Sequence, residues 1–169
     1  VPLELKYVAC IESALNPHAI SPAKATGLWQ FMYHTGKMYN LRIDSYIDER
    51  LDPYKSTVAA ARYLKDLHKI YGDWQLAIAA YNCGPGRVNY ALRRSGGKRN
   101  FWELWPYLPR ETASYVPAFI GCAYAMNFPT EHNLYPIYAD FTYNQDTVHI
   151  TEMKVSLKQL ADSAGADLE

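Results

Sequence analysis

A single carboxylate, Glu12, closes an apolar run in the stretch ACIESALNPHAISPAKATGLWQFM, residues 9–32. A carboxylate in such a setting has two chemistries open to it. It can be an ordinary acid satisfied by an arginine or by backbone amides. Alternatively it can be a general acid whose pKa is raised by loss of water. Gln30 in GLWQFM, and Tyr81 with Asn82 in AYNCG, also end apolar stretches beside glycine. Three chain turns that bring polar groups together at the ends of apolar elements would make a cleft. Cys83 lies in the same stretch, but nothing in the spacing brings His18 or His68 beside it, so it is not read as a thiol nucleophile.

The elements that must position these groups read as helices. Pro2 stands at a natural helix start, and Leu3, Tyr7, Val8, Ile11, Ala14 and Leu15 recur at helical spacing, with Glu12 just outside that stripe. Asn16-Pro17 and Ser21-Pro22 force a loop, because the residue before proline is pushed out of helix. LWQFMYHTGKMYN reads as a short helix closed by Gly36 or Asn40. Ser56 is expected to cap a long helix stopped by Gly72, and Asp73 to cap the next one, which breaks at CGPG. GRVNYALRRSGG is a further short helix, FWELWPYLPRET a loop with one helical turn, and ETASYVPAFIGCAYAMN a last long helix kinked near Pro117. The pattern then changes. YPIYADFTYNQDTVHI alternates like one or two short strands, and SLKQLADSAGADLE reads as a capped amphipathic helix, so a boundary is placed at residues 136/137.

Composition narrows the function classes. Hydrophobic residues make up 49% and charged ones 20%, which suits a packed globular chain. Seventeen basic and seventeen acidic side chains cancel, leaving no electrostatic reason to expect nucleic acid or an anionic membrane surface. Fifteen tyrosines and four tryptophans exceed what packing needs. Such rings can stack on the flat faces of sugars while hydrogen-bonding at their rims. Three cysteines without a C-x-x-C pair signal neither a zinc site nor a disulfide framework, although they leave room for one disulfide. Cys10 and Cys122 lie in apolar helical runs and read as small hydrophobes. The chain opens inside a helical pattern, which points to an excised domain whose targeting segment precedes Val1.

Four motifs in order, Glu12-Ser13 followed by Asn16-Pro17, then GLWQFM, AYNCGPGRV and ETASYV, resemble the soluble lytic transglycosylase and goose-type lysozyme family. NFWELWPYLPRETASYVP resembles the corresponding segment of its D-type membrane-bound branch. The resemblance spans about residues 1–128. It implies a mainly α fold: a lysozyme-like (goose-type) helical catalytic domain over residues 1–136, with a small strand-helix extension over 137–169. That extension is similar to the segment leading into LysM-type repeats in D-type enzymes. Carried over by position, Glu12 matches the catalytic acid and Ser21 a serine near the N-acetyl group of the reacting sugar. Gln30 and Met32 match residues lining the glycan groove, Tyr81 and Asn82 the pair beside the acid, and Tyr115 a second tyrosine facing it. Glu111 is carried as a further substrate-side residue, with a plain helix-dipole role as its alternative. Met32 and Tyr81 also have core-packing readings. Cys83 replaces the family's usual alanine and Tyr33 its usual proline, neither at a matched catalytic position.

The resemblance implies a metal-free, cofactor-free peptidoglycan lytic transglycosylase of the bacterial cell envelope. It would act as a monomer on glycan strands in the periplasm, and would meet a membrane only through an N-terminal outer-membrane anchor outside this sequence. Ordinary glycosidases use two carboxylates. The matched motifs supply one carboxylate, which fits substrate-assisted chemistry instead. A water-using muramidase and a non-catalytic glycan-binding module are the alternatives.

Overall fold

A buried helix, α4 (Trp74–Cys83), organises the larger part of the molecule in the computed structural model, which describes residues 1–135, 137, 150 and 154–165. Leu76, Ala77, Ile78, Ala79 and Ala80 are all buried, so α4 is apolar on every side, as an interior helix must be. Its alanines let neighbouring helices approach closely. Around it pack α3 (Pro53–Tyr71), α5 (Pro85–Arg94) and α7 (Arg110–Asn127), and α1 (Tyr7–Ser13) packs on α7. Two short helices, α2 (Tyr33–Met38) and α6 (Phe101–Leu104), complete this part. The chain divides into two compact units, Val1–Asn133 and Leu134–Glu169.

The helix ends follow from local chemistry. Asp73 accepts a hydrogen bond from the Leu76 amide (2.8 Å) and starts α4, as its type and place predict. Gly72 ends α3 at φ 70°, a left-handed conformation. Gly84 separates α4 from α5 at φ 83°, ψ 149°, a region open to glycine and to little else. Ser56 is a correction. The α3 cap is Asp52, whose side chain accepts from the Lys55 amide at 2.9 Å, with Pro53 at the first helical position. Ser56 is buried inside the first turn and donates its hydroxyl to the Asp52 carbonyl at 2.6 Å. The α7 helix runs on through Pro117.

A second correction concerns residues 28–40, expected to be one helix. Only Tyr33–Met38 is helical. Residues before it form a folded loop in which Thr26 pairs with both Ile20 and Phe31. Gln30 sits at φ 48°, incompatible with a helix, and donates Nε2 to the carbonyls of Gly27 (2.8 Å) and Ala19 (3.1 Å). A partly buried ion pair locks this loop. The Arg50 guanidinium meets Asp48 at 2.6 Å and donates Nη1 to the carbonyls of Lys24 and Phe31, both at 3.1 Å. The Arg50 hydrogen bonds to Asp48 hold that carboxyl below its ordinary value.

The three cysteines are free, with Cys10 and Cys122 packed against the core on facing helices. Among the described residues no helix is long and apolar enough to cross a membrane. In the second unit, α8 (Leu157–Ala164) opens with a capping box between Ser156 and Gln159 and closes at Gly165, as its sequence predicts. The expected strands over 135–150 fall almost wholly outside the described residues.

Two glycines should respond in opposite directions. A Cβ at Gly27, where φ is 84°, would stand 1.8 Å from the Arg50 carbonyl oxygen. Gly27→Ala is therefore expected to lose well over about 1 kcal/mol. A Cβ at Gly121, inside α7, meets nothing within 4 Å. Gly121→Ala is expected to gain about 0.5–1 kcal/mol from helix propensity. Urea unfolding of both variants checks the signs.

Candidate active site

The α1 helix ends one residue after Glu12, where Ala14 and then Leu15 turn left-handed at φ 50° and 63°. This ending leaves Glu12 half-buried in the last turn, facing α7. Tyr115 on α7 donates its hydroxyl to Glu12 Oε1 at 2.5 Å. Ser13, the next residue, donates to the Leu28 carbonyl at 2.8 Å and so ties the helix end to the loop that follows. Burial pushes the Glu12 carboxyl up to about 7, the Tyr115 hydrogen bond works against that rise, and the charge of Glu111 adds to it. Tyr115 and Tyr81 are themselves pushed well above the ordinary phenol value, by burial first and by Glu12 next. Both stay protonated at any physiological pH.

A cavity of about 680 Å³ opens beside Glu12. Ser21, Gln30, Met32, Tyr81, Asn82, Glu111 and Tyr115 all line it, so one space collects every residue singled out from the sequence. Their individual settings differ. Ser21 Oγ accepts from the Ala25 amide at 3.0 Å and keeps its own proton for another acceptor. Gln30 spends its amide protons on the loop and leaves Oε1. Met32 is 47% exposed, which sets aside its core-packing reading. Asn82 Oδ1 accepts from Thr112 on α7 at 2.8 Å, leaving its amide protons. Tyr81 reaches the Trp29 carbonyl at 2.7 Å and not Glu12, so its hydroxyl fastens the GLWQ loop against α4. Trp29 is fastened again through Nε1 to Thr57 at 2.8 Å. Glu111 is exposed at the start of α7.

Three contributors carry no signal in the sequence pattern. Arg50 shapes the loop from outside the cavity. Tyr63 and Thr35 line the cavity from helices α3 and α2. Helical periodicity places Tyr63 on a packed face, and only the tertiary fold reveals that the face borders open space. Among the described residues no three of His, Cys, Asp or Glu come together in a way that could hold a metal ion.

Chemically, the arrangement offers one carboxyl able to hold a proton near neutral pH, a phenol bonded to it, and uncommitted hydroxyl and amide groups around an open space. A carboxyl raised from 4.5 to about 7 binds its proton more tightly when folded than when unfolded. Its penalty on the fold is therefore absent below about pH 4.5, grows with rising pH, and is complete above about 7. Glu12→Gln is expected to melt higher than the parent at pH 8, with the gap closing toward pH 4.5. Thermal melts across that range check this, and a pH-independent gap would contradict the raised value. Tyr115→Phe removes the bond that restrains Glu12, so carboxyl titration followed by NMR is expected to move above about 7.

Comparison with known proteins identifies the family of the chain. The transglycosylase SLT domain family matches residues 1–103. Over 98% of its length the chain is 36% identical to membrane-bound lytic murein transglycosylase D of Escherichia coli strain K12, of which it covers 37%. It is 37% identical over 117 residues to the soluble lytic murein transglycosylase of the same strain, covering 64% of this chain and 18% of that protein. The crystal structure of the 70 kDa soluble lytic transglycosylase of Escherichia coli superimposes with a TM-score of 0.64 at 31% identity, over 77% of this chain and 22% of that one. A 70 kDa soluble lytic transglycosylase in complex with bulgecin A gives a TM-score of 0.65 at 29% identity, over the same shares. The chain thus spans about a third or less of the length of these relatives. By the match over residues 1–103, and with a mainly helical, lysozyme-like transglycosylase fold, the chain belongs to the transglycosylase SLT domain family.

Proposed function

We propose that residues 1–136 are the catalytic domain of a peptidoglycan lytic transglycosylase of the cell envelope, and that residues 137–169 lead toward a glycan-binding region. The enzyme would cleave the β-1,4 bond between N-acetylmuramic acid and N-acetylglucosamine without water. The observation that carries this reading is Glu12, half-buried at the wall of an open cavity, with its carboxyl raised to about 7. A general acid must keep its proton near the working pH. The names of the relatives, lytic murein transglycosylases, agree with it.

In this mechanism protonated Glu12 gives its proton to the glycosidic oxygen, and the bond from that oxygen to the muramoyl C1 breaks. The muramoyl N-acetyl carbonyl stabilises the positive charge at C1, and the free proton of Ser21 Oγ holds that acetamide. Glu12, now a carboxylate, takes the proton from the muramoyl C6 hydroxyl, whose oxygen bonds to C1 and closes a 1,6-anhydro ring. The proton returns to Glu12 and no water is consumed. Tyr115 orients the carboxyl throughout. Tyr81 keeps the loop wall in place through Trp29, and its ring helps to exclude water.

One observation favours a second reading. Glu111 also lines the cavity, and its charge acts on Glu12. With Glu111 as a base that activates water, the same cavity would be that of a muramidase.

Mass spectrometry of soluble products from purified peptidoglycan separates these readings. Muropeptides one water lighter than reducing-end forms, absent with Glu12→Gln, are the expected result. Reducing-end products would overturn it in favour of the hydrolase, and turnover by Glu12→Gln would remove Glu12 as the acid. Activity is also expected to fall as pH rises past about 7, where Glu12 loses its proton.

A further inference from the structure

Cys10 on α1 and Cys122 on α7 take no part in the chemistry above, yet they are neighbours. The helices that carry them pack on each other, and both side chains lie half-buried against the same core. Tyr115 and Cys122 stand about two turns apart on α7 and so share one face of it. From that face Tyr115 bonds Glu12, which follows Cys10 closely on α1. The two thiols also act on each other. Burial first, and then the charge and hydrogen bonding of Cys122, raise the Cys10 thiol above its ordinary value. Cys83 is set apart. Its thiol reaches the Gly84 carbonyl at 3.6 Å, and the side chains that act on it are Thr112 and Arg87, neither of them a thiol.

We propose that Cys10 and Cys122 form a modification site, a thiol pair that an external disulfide oxidises to a cross-link stapling α1 to α7 in the folded chain. The thiolate of one cysteine attacks a sulfur of the oxidant, whose other sulfur leaves as a thiolate. The second cysteine, as its thiolate, attacks the protein sulfur of this mixed disulfide and releases the remaining half of the oxidant. Each cysteine gives up one proton and one electron, and the oxidant takes up both pairs to end as two thiols. Cys10 carries its proton at neutral pH, as a structural thiol does and an activated catalytic one does not. The cross-link would act where the fold has least to hold it. The α1 helix is only seven residues long, and it carries the carboxyl that Tyr115 must meet. Joining residues 10 and 122 also closes a long loop, the case in which a disulfide restricts the unfolded chain most. The cell-envelope setting proposed above supplies oxidants of this class. The cross-link itself rests on the helix pair and not on that setting.

The test takes the whole folded chain, fully reduced and then freed of reductant, and incubates it with oxidised glutathione. Remaining free cysteines are alkylated after unfolding, and proteolytic peptides are mapped by mass spectrometry without reduction. The expected product is two hydrogens lighter than the reduced chain, with Cys83 alone alkylated and one peptide pair joined through Cys10 and Cys122. Oxidised protein should melt about 10 °C above the reduced form. That difference should vanish in Cys10→Ser and in Cys122→Ser. Each serine variant is compared with itself, with and without oxidant, so a general loss of stability does not disturb the reading. Alkylation of all three cysteines would overturn the proposal, as would glutathione left attached to Cys10 or Cys122, or a linkage through Cys83. A linked form that melts at or below the reduced one would overturn it too, because the native helix pair would then not accommodate the bond. None of these readouts depends on turnover, so failure of the transglycosylase reading and failure of this proposal are told apart.

Discussion

The withdrawal of Glu12 from water, at the end of a helix packed on α7, is the constraint around which the rest of this structure is arranged. A carboxyl placed there tends to neutralise itself by taking up a proton. The Tyr115 hydrogen bond limits that tendency, so the carboxyl rises only to about 7 and remains able both to give and to recover a proton. Had an arginine taken the place of Tyr115, the same carboxyl would be locked as an anion. Pairing with a phenol gives direction without fixing charge. The opposed effects of burial and hydrogen bonding therefore leave Glu12 in a narrow range that neither would reach alone.

The acid would have no use without a space beside it, and the same short helix end provides for that. Ser13 bonds the Leu28 carbonyl, so one turn of α1 holds both the carboxyl and the wall opposite it. The wall is irregular chain, which leaves many backbone groups needing partners. Gln30 satisfies two carbonyls, Arg50 two more, and Tyr81 the Trp29 carbonyl. Arg50 is itself buried, and Asp48 meets its charge. A partly buried pair of this kind contributes little net stability, but removing Asp48 leaves the buried Arg50 charge stranded. Its role here is to fix where the loop carbonyls lie.

Local signals in the sequence were sufficient for much of the fold. Gly72, Asp73 and Gly84 delimit α3 and α4 because capping and left-handed turns depend on a few neighbouring residues. Ser156 with Gln159 opens α8 for the same reason. The failures have the opposite cause. Ser56 looks like a cap, yet Asp52 followed by Pro53 offers a better one four residues earlier. Residues 28–31 have a helical apolar pattern, but their backbone carbonyls are claimed by Ser13, Tyr81 and Arg50 from other parts of the chain. Four ordered motifs sufficed to gather the site residues into one cavity. Arg50 and Tyr63 escaped because an arginine among charged neighbours and a tyrosine on an apolar helix face both look ordinary until the chain is folded.

The abundance of tyrosine takes on a specific meaning in this arrangement. Phe31, Tyr39, Tyr63 and Tyr81 pack ring against ring between α3, α4 and the loop. Aliphatic side chains could fill that volume as well, but they carry no polar tip. With tyrosine, each ring contributes apolar packing while its hydroxyl reaches a polar target at the edge: Asp66 for Tyr39 and Trp29 for Tyr81. Farther along, Tyr115 uses the same design on Glu12. One residue type thus performs three tasks, filling the interior, fastening the loop and setting the acid. A wall built this way is stiff where it is apolar and polar where it meets the cavity.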